Sequence, residues 1–243
     1  MHSPIEQFEI KYFIPEILFS NASLFMLIAL AIVVGGLFLA TSSRAIVPGR
    51  AQAFAETLHD FVFNMLHDST GKEGLKFFPL VFSLFTFVLT ANLVGLIPYS
   101  FTVTSHIIVT FSLAILVIGT VIVYGFLRHG LHFLHLFVPS GVPAWLLPFI
   151  VVIEIISFIS RPISLSLRLF ANMMAGHIAL KIFAGFVVAL GAASMVPLKI
   201  LAPLPLVMAV ALMALELLVA CLQAYVFAIL TCIYLNDALH PGH

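Results

Sequence analysis

The sequence predicts an all-α integral membrane protein with five membrane-crossing helices and one amphipathic helix at the membrane interface. Of 243 residues, 63% are hydrophobic and only 8% are charged, whereas soluble domains are about 25% charged. Long stretches carry no Asp, Glu, Lys or Arg, and about 20 apolar residues suffice to cross a bilayer. The whole chain, 1–243, is therefore predicted to be a single membrane domain.

The first half of the chain contains three predicted elements. The charge-free run 17–43 predicts the first transmembrane helix. Apolar residues at helical spacing over 49–69, with polar residues on the opposite face, predict the amphipathic interfacial helix. The charge-free run 77–127 is too long for one crossing and is interrupted by Pro98 and the polar residues that follow it. It therefore predicts a hairpin of two crossings.

The second half predicts a long helical hairpin. The segments 143–194 and 198–239 are apolar over more residues than a perpendicular crossing needs, so both helices are expected to be tilted and antiparallel. Glycine and proline between them place the turn near Val196.

Charge also bears on partners and orientation. The formal net charge is zero, which removes a general electrostatic reason for binding nucleic acid. Lys11 and Lys199 fall on one predicted side of the membrane, and most other Lys and Arg residues of the loops fall on the opposite side, namely Arg44, Arg50, Lys72, Lys76 and Arg128. The positive-inside rule then predicts an amino terminus outside and a carboxyl terminus in the cytoplasm.

Arg168 is the most informative residue because it lies within a long apolar stretch. An arginine at the bilayer centre costs about 2.5 to 3.5 kcal/mol on insertion scales and cannot lose its proton. Function is therefore the default interpretation, and a structural buried salt bridge is the alternative. No carboxylate of the chain is expected at its depth, so its partner anion is predicted on another chain.

Polar residues of the long hairpin sort by depth. If the chain reverses near Val196, residues at equal depth have numbers that sum to about 392. Three levels result, which pair Arg168 with Gln223, His177 with Glu216, and Glu154 with Asp237.

Arg168 and His177 are predicted to point to different surfaces of the first long helix. His177 follows Arg168 by nine residues, or roughly 13 Å of helix, and points about 180° away from it. Asn172 is one turn from Arg168 and shares its face. Histidine titrates near pH 6.5, so His177 beside Glu216 is predicted to relay protons, with a structural polar contact as the alternative. Arg168 would act as a barrier.

Four further residues are weaker candidates for the proton path. Arg161 lies two turns from Glu154, which also fits a structural ion pair. Lys181 could instead reach lipid headgroups. Glu154 and Asp237 could line an inner exit or simply be solvated at the interface.

Two motifs that suggest other chemistry are incomplete. His129, His132 and His135 recur every three residues but have no acidic or cysteine partner nearby, so no metal site is expected. Gly71-Lys72 lacks the remaining residues of a phosphate-binding loop, so direct ATP binding is not expected. No cofactor is expected either.

Short sequence blocks around the polar positions form a specific pattern that extends over about Pro48 to Leu235. The blocks are Asn92-Leu93-Val94-Gly95-Leu96-Ile97-Pro98, Glu154-Ile155-Ile156-Ser157, Arg161-Pro162-Ile163-Ser164-Leu165, Arg168-Leu169-Phe170-Ala171-Asn172, Ala175-Gly176-His177, Glu216 and Leu222-Gln223-Ala224-Tyr225-Val226-Phe227. This pattern resembles the signature of subunit a of F-type ATP synthases. The histidine on the fifth crossing and the acid on the sixth helix resemble the mitochondrial-like branch.

The resemblance implies a non-catalytic proton channel within a rotary complex. Arg168 would be the essential arginine that faces the ring of c subunits, and Asn172 and Gln223 would lie beside that rotor. His177 and Glu216 would belong to the half-channel open to the outer side. The implied partners are the c ring, b-type peripheral stalk subunits, the rest of the F0F1 complex and membrane lipid. The implied location is an energy-transducing membrane, namely a bacterial inner membrane.

Two other functions are alternatives to a proton channel within a rotary complex. A transporter or channel that works alone often shows duplicated halves with broken helices, and no convincing internal repeat is present. A purely structural assembly subunit would tolerate polar substitutions at Arg168.

Overall fold

The computed structural model describes residues 12–14, 19–42, 47–97, 100–138, 145–192 and 201–240. The predicted turn near Val196 and three residues used for the orientation, Lys11, Arg44 and Lys199, lie outside these ranges.

The described chain begins with a short strand pair and the first long helix. Strands β1 (Tyr12–Ile14) and β2 (Phe19–Ser20) pair antiparallel. Helix α1 (Asn21–Ser42) follows directly. Ser20 Oγ accepts a hydrogen bond from the backbone N–H of Ser23 at 3.4 Å, which is the usual contact of an N-capping serine. Helix α1 begins at Asn21, whereas residue 17 is the predicted start.

Helix α2 (Arg50–Gly74) is amphipathic and bends near its end. Val62, Met65 and Leu66 are buried on its inner face. Gly71 has φ 65° and ψ −162°, a backbone conformation that is essentially restricted to glycine. The helical segment therefore continues past residue 69, the predicted end, with a change of direction at Gly71.

Helices α3 (Phe78–Gly95) and α4 (Ile107–His129) form the first hairpin. Pro79 lies in the first turn of α3, where its missing N–H costs little. The connection includes a short 3-10 turn, Val103–Ser105. At the opposite end of α4, Arg128 donates to the Glu73 carboxylate at 2.6 Å.

Helices α5 (Leu147–Gly191) and α6 (Pro203–Leu239) form the long hairpin, with 45 and 37 residues. Both carry proline in the first turn. Helix α5 continues through Pro162, although an internal proline removes one backbone hydrogen bond.

The predicted fold class is confirmed. Five helical segments of the described chain are long and apolar enough to cross a membrane, and the second of them runs from α2 into α3. The brief β1–β2 pair is the departure from a purely helical description. It has only three and two residues in its strands, too few for the alternating pattern that identifies a strand in a sequence.

The core lies where α6 packs against α2, α3 and α5, while α4 packs against α5. Ala220, Ala224 and Ala228 are fully buried on α6, and small residues allow helices to approach closely. Thr110 on α4 and Ser166 on α5 share a buried hydrogen bond of 3.0 Å. Large apolar side chains of α1, α5 and α6 remain exposed, as expected for a lipid-facing surface.

Candidate functional site

His177 on α5 and Glu216 on α6 form a buried polar pair. His177 Nε2 lies 3.6 Å from Glu216 Oε1, and the two side chains are 12% and 5% exposed. The contact predicted from helix depth is therefore present. A buried carboxyl group beside an imidazole can accept and return a proton over a short distance.

Gly176 makes room for this contact. A Cβ atom at position 176 would lie 2.7 Å from Glu216 Oε1 and 2.9 Å from its carboxyl carbon. The Glu216 side chain therefore occupies the space that any other residue at position 176 would fill. The helix that approaches α5 at Gly176 is α6 of the same chain.

Thr102 adds a hydroxyl to the pair from the α3–α4 connection. Its Oγ1 lies 2.9 Å from His177 Nε2, and the residue is 4% exposed. Thr102 is not among the site residues predicted from the sequence, because the polar composition of the segment between the two apolar halves of the hairpin indicates only a break between crossings.

The Glu216 carboxyl group has an unusual environment for a buried acid. Neither of its oxygens has a hydrogen-bond partner among the described residues. One turn further along α6, the Ala220 carbonyl accepts a hydrogen bond from Asn92 Nδ2 at 3.1 Å. A buried acceptor without a donor is costly, so the site favours a group that can take up a proton.

Arg168 and Asn172 lie on another surface of α5. Both residues are exposed, in contrast to His177. Within the described part of the chain, no carboxylate forms an ion pair with Arg168. That the partner anion of Arg168 belongs to another chain stays a prediction.

Gln223 does not share the exposure of these two residues. It is 6% exposed and lies within the helix packing of α6. The structure thus brings Arg168 and Asn172 to an outer surface and keeps Gln223 inside.

Arg161 joins α5 to α6 near the other end of the hairpin. It donates to Asp237 Oδ2 at 2.6 Å and lies 3.7 Å from Glu154 Oε1. Its guanidinium also lies over the rings of Phe158 and Tyr234, at 5.7 and 5.4 Å from their centroids. The depth count that placed Glu154 level with Asp237 is consistent with this shared cation.

Lys181 lies one turn beyond His177 on α5 and is partly exposed. It therefore neighbours the buried pair on its own helix.

His129 is the last residue of α4 and contacts the end of α6. His129 Nε2 lies 3.2 Å from the Leu239 carbonyl oxygen. Within the described ranges, no three His, Cys, Asp or Glu side chains come together in a way that could hold a metal ion.

The chain is similar to a known family over most of its length. The family model described as ATP synthase A chain matches residues 23–236. A protein of Rhizobium etli (strain CIAT 652) is 65% identical over 99% of this chain and 98% of its own length. One of Xanthobacter autotrophicus is 66% identical over the same shares, and one of Mesorhizobium japonicum is 63% identical over 99% of this chain and 97% of its own length.

All three relatives bear the name ATP synthase subunit a. The matched region includes every polar residue of the long hairpin except Asp237. The chain belongs to the ATP synthase A chain family.

Proposed function

We propose that this chain is the proton-conducting stator subunit of an F-type ATP synthase and is not catalytic on its own. One observation carries the proposal: a single helix presents His177, whose side chain is 12% exposed, beside Glu216 and, nine residues earlier, an exposed Arg168 with no carboxylate partner in the described chain. This separates a site that can exchange protons from a fixed positive charge. The names of the relatives support the same function.

The proposed proton path has two offset halves. Protons enter through the His177 and Glu216 side and neutralise a carboxylate on a c subunit, which can then move into lipid. After nearly a full turn of the ring, the carboxylate reaches the inner half-channel and releases its proton to the cytoplasm. Proton flow is thereby coupled to rotation.

Arg168 separates the two halves electrostatically. Its permanent positive charge attracts an ionised ring carboxylate, favours that ionised form and repels hydronium. A proton therefore cannot cross directly from one half-channel to the other. Asn172 is exposed one turn from Arg168 and lies on the same rotor-facing surface. Gln223 contributes a buried amide group from α6, which packs against α5.

The inner half-channel is proposed at the other end of the hairpin. Glu154 and Asp237 share Arg161 there, and their side chains are 32% and 27% exposed, which allows contact with water. Lys181, one turn beyond His177 on α5, adds a positive charge near the His177 and Glu216 pair.

The partners and orientation follow from this assignment. The chain would contact the c ring, b-type peripheral stalk subunits and the remaining F0F1 subunits, in a bacterial inner membrane. The distribution of Lys and Arg supports an outer amino terminus and a cytoplasmic carboxyl terminus.

Replacing Arg168 in the complete complex tests the proposal. Arg168→Ala is expected to abolish proton-driven ATP synthesis in membrane vesicles because the barrier between half-channels is lost. The matched control is Arg128→Ala, which removes an exposed arginine that pairs with Glu73, and it should retain synthesis. Normal coupled synthesis by the Arg168 variant would overturn the proposal.

The two rival functions predict different results. A transporter or channel that works alone would conduct protons after reconstitution of the purified chain without a c ring. A structural assembly subunit would leave ATP synthesis intact when Arg168 is replaced by another polar residue such as Gln. Under the proposed function, neither result is expected.

A further inference from the structure

Thr102 places its hydroxyl against the imidazole of the buried pair. Its Oγ1 lies 2.9 Å from His177 Nε2 and donates to the Gly95 carbonyl oxygen at 3.3 Å. A threonine hydroxyl has one proton and two lone pairs. When that proton is directed at the carbonyl, the oxygen can only accept a hydrogen bond from His177.

Glu216 presents a second acceptor to the same ring nitrogen. Its Oε1 lies 3.6 Å from His177 Nε2, and both carboxyl oxygens are buried without a hydrogen-bond donor in the described chain. An ionised carboxylate can only accept hydrogen bonds. The Thr102 oxygen is therefore within hydrogen-bond distance of Nε2 and the Glu216 oxygen lies just beyond it, so a proton on Nε2 would bond to Thr102 and face Glu216.

The position of Thr102 is fixed from several sides. A Cβ atom at Gly95 would lie 2.8 Å from Thr102 Cγ2 and 3.1 Å from its Oγ1, so α3 needs glycine where Thr102 packs. Ser105 Oγ donates to the Thr102 carbonyl at 2.6 Å. The hydroxyl is thus held against α3 and α5 together, as a preorganised contact requires.

We propose that Thr102 is a positioning residue that holds His177 with its proton on Nε2, aimed for delivery to Glu216. This rests on the proposed function. When a second proton binds at Nδ1, the Nε2–H bond breaks, an O–H bond forms on the Glu216 carboxylate, and a neutral imidazole protonated at Nδ1 remains.

Thr102→Val in the complete ATP synthase tests the proposal, because valine keeps the shape and removes the hydroxyl. The initial rate of proton-driven ATP synthesis in proteoliposomes is expected to fall about three- to tenfold, which is the rate equivalent of one hydrogen bond. Thr102→Ser restores the hydroxyl and should return the rate to within about twofold of the parent.

Thr110→Val is the matched control. Thr110 also reaches α5 through a buried hydroxyl, which contacts Ser166 at 3.0 Å, but it does not contact His177 or Glu216. Its replacement removes a comparable interhelical hydrogen bond, so a general loosening of α4 and α5 would appear in this variant too. The rate per assembled complex is expected to stay within about twofold of the parent.

The imidazole itself provides a second measurement. In complexes labelled with ¹⁵N-histidine, the His177 signals are identified by their loss in His177→Gln. The parent should show the signature of a proton on Nε2, and Thr102→Val should shift the population towards Nδ1. A purely structural role of Thr102 would not change this signature.

The proposal is overturned if Thr102→Val keeps the parent rate, and also if the rate falls while the Nε2 signature stays unchanged. It is equally overturned if Thr110→Val loses as much rate as Thr102→Val, or if Thr102→Ser fails to restore the rate. Failure of the proposed function is distinguishable, since it would appear as normal coupled synthesis in Arg168→Ala, whatever the Thr102 variants do.

Discussion

Glu216 is the residue whose chemistry most directly tests the buried pair. Glu216→Gln keeps the size of the side chain but removes its ability to take up and release a proton. The rate of proton-driven ATP synthesis is expected to fall about a hundredfold or more, the usual contribution of a positioned acid or base. Measurement in vesicles with matched amounts of assembled complex checks this. A rate near that of the parent would exclude Glu216 from the proton path.

Gly176 offers a test of distance rather than charge. The methyl group of Gly176→Ala would come within 2.7 Å of Glu216 Oε1, and the flexible Glu216 side chain can move away at little cost in stability. Proton-driven synthesis is therefore expected to fall several-fold, since a misplaced proton donor or acceptor slows transfer, while the amount of assembled complex stays unchanged.

Gly185→Ala is the control for this effect, because it makes the same change on the same helix where no atom lies within 4 Å. It should leave both synthesis and assembly unchanged. Equal losses in the two variants would mean that α5 does not tolerate alanine generally, and the argument from Glu216 would fail.

At the residue scale, the sequence located the pair but not its environment. Depth counting brought His177 to Glu216 because two antiparallel helices share the same rise per residue. Thr102 was missed because it lies in a connection, where no periodicity relates residue number to position. Counting levels could not show that Gln223 is buried either, since depth does not fix which way a side chain points.

At the scale of elements, an ion pair between Arg161 and Asp237 links α5 to α6. The hydrogen bond from Arg161 to Asp237 is 2.6 Å long, while Glu154 is 3.7 Å away. Asp237→Asn is therefore expected to destabilise the hairpin more than Glu154→Gln, by about 1 to 3 kcal/mol for the loss of a charge-assisted hydrogen bond. Thermal inactivation of the assembled complex provides the measurement.

Glu73→Gln is the matched control for this prediction. The Glu73–Arg128 pair has the same 2.6 Å separation, but its side chains are 52% and 36% exposed, and exposed pairs contribute little. A stability loss in Glu73→Gln as large as that in Asp237→Asn would show that exposure does not distinguish the two pairs.

The long elements were predictable because lipid imposes a simple rule on them. A crossing needs about 20 apolar residues, so charge-free runs reveal helices α1, α3 and α4 directly. The end of α2 was less predictable. The chain bends at Gly71, but a glycine before Lys72 in the sequence does not predict whether the helical segment ends there or changes direction. The answer depends on packing against α3.

At the scale of the whole molecule, the exposed surface around Arg168 is the expected contact with the rotor. A cysteine at Asn172 should cross-link to a cysteine placed beside the ring carboxylate, because Asn172 is exposed on the face of Arg168. A cysteine at Gln223 should cross-link much less, since that residue is 6% exposed. Electrophoresis of the oxidised complex measures both products.

The background for this experiment needs Cys221→Ser, because Cys221 is exposed and would react, whereas Cys232 is buried. Cross-linking that is stronger at position 223 than at position 172 would place the rotor against a different surface of the chain.

The buried pair also has a consequence for the order in which the protein is made. The pair and its neighbour Thr102 come from three distant points of the chain: Thr102, His177 75 residues later, and Glu216 on α6. Contacts so far apart along a chain form late. During synthesis, His177 and Thr102 enter the membrane before Glu216 exists. The acid that completes the proposed proton path is therefore added only with α6, after Thr102 and His177 have already entered the membrane.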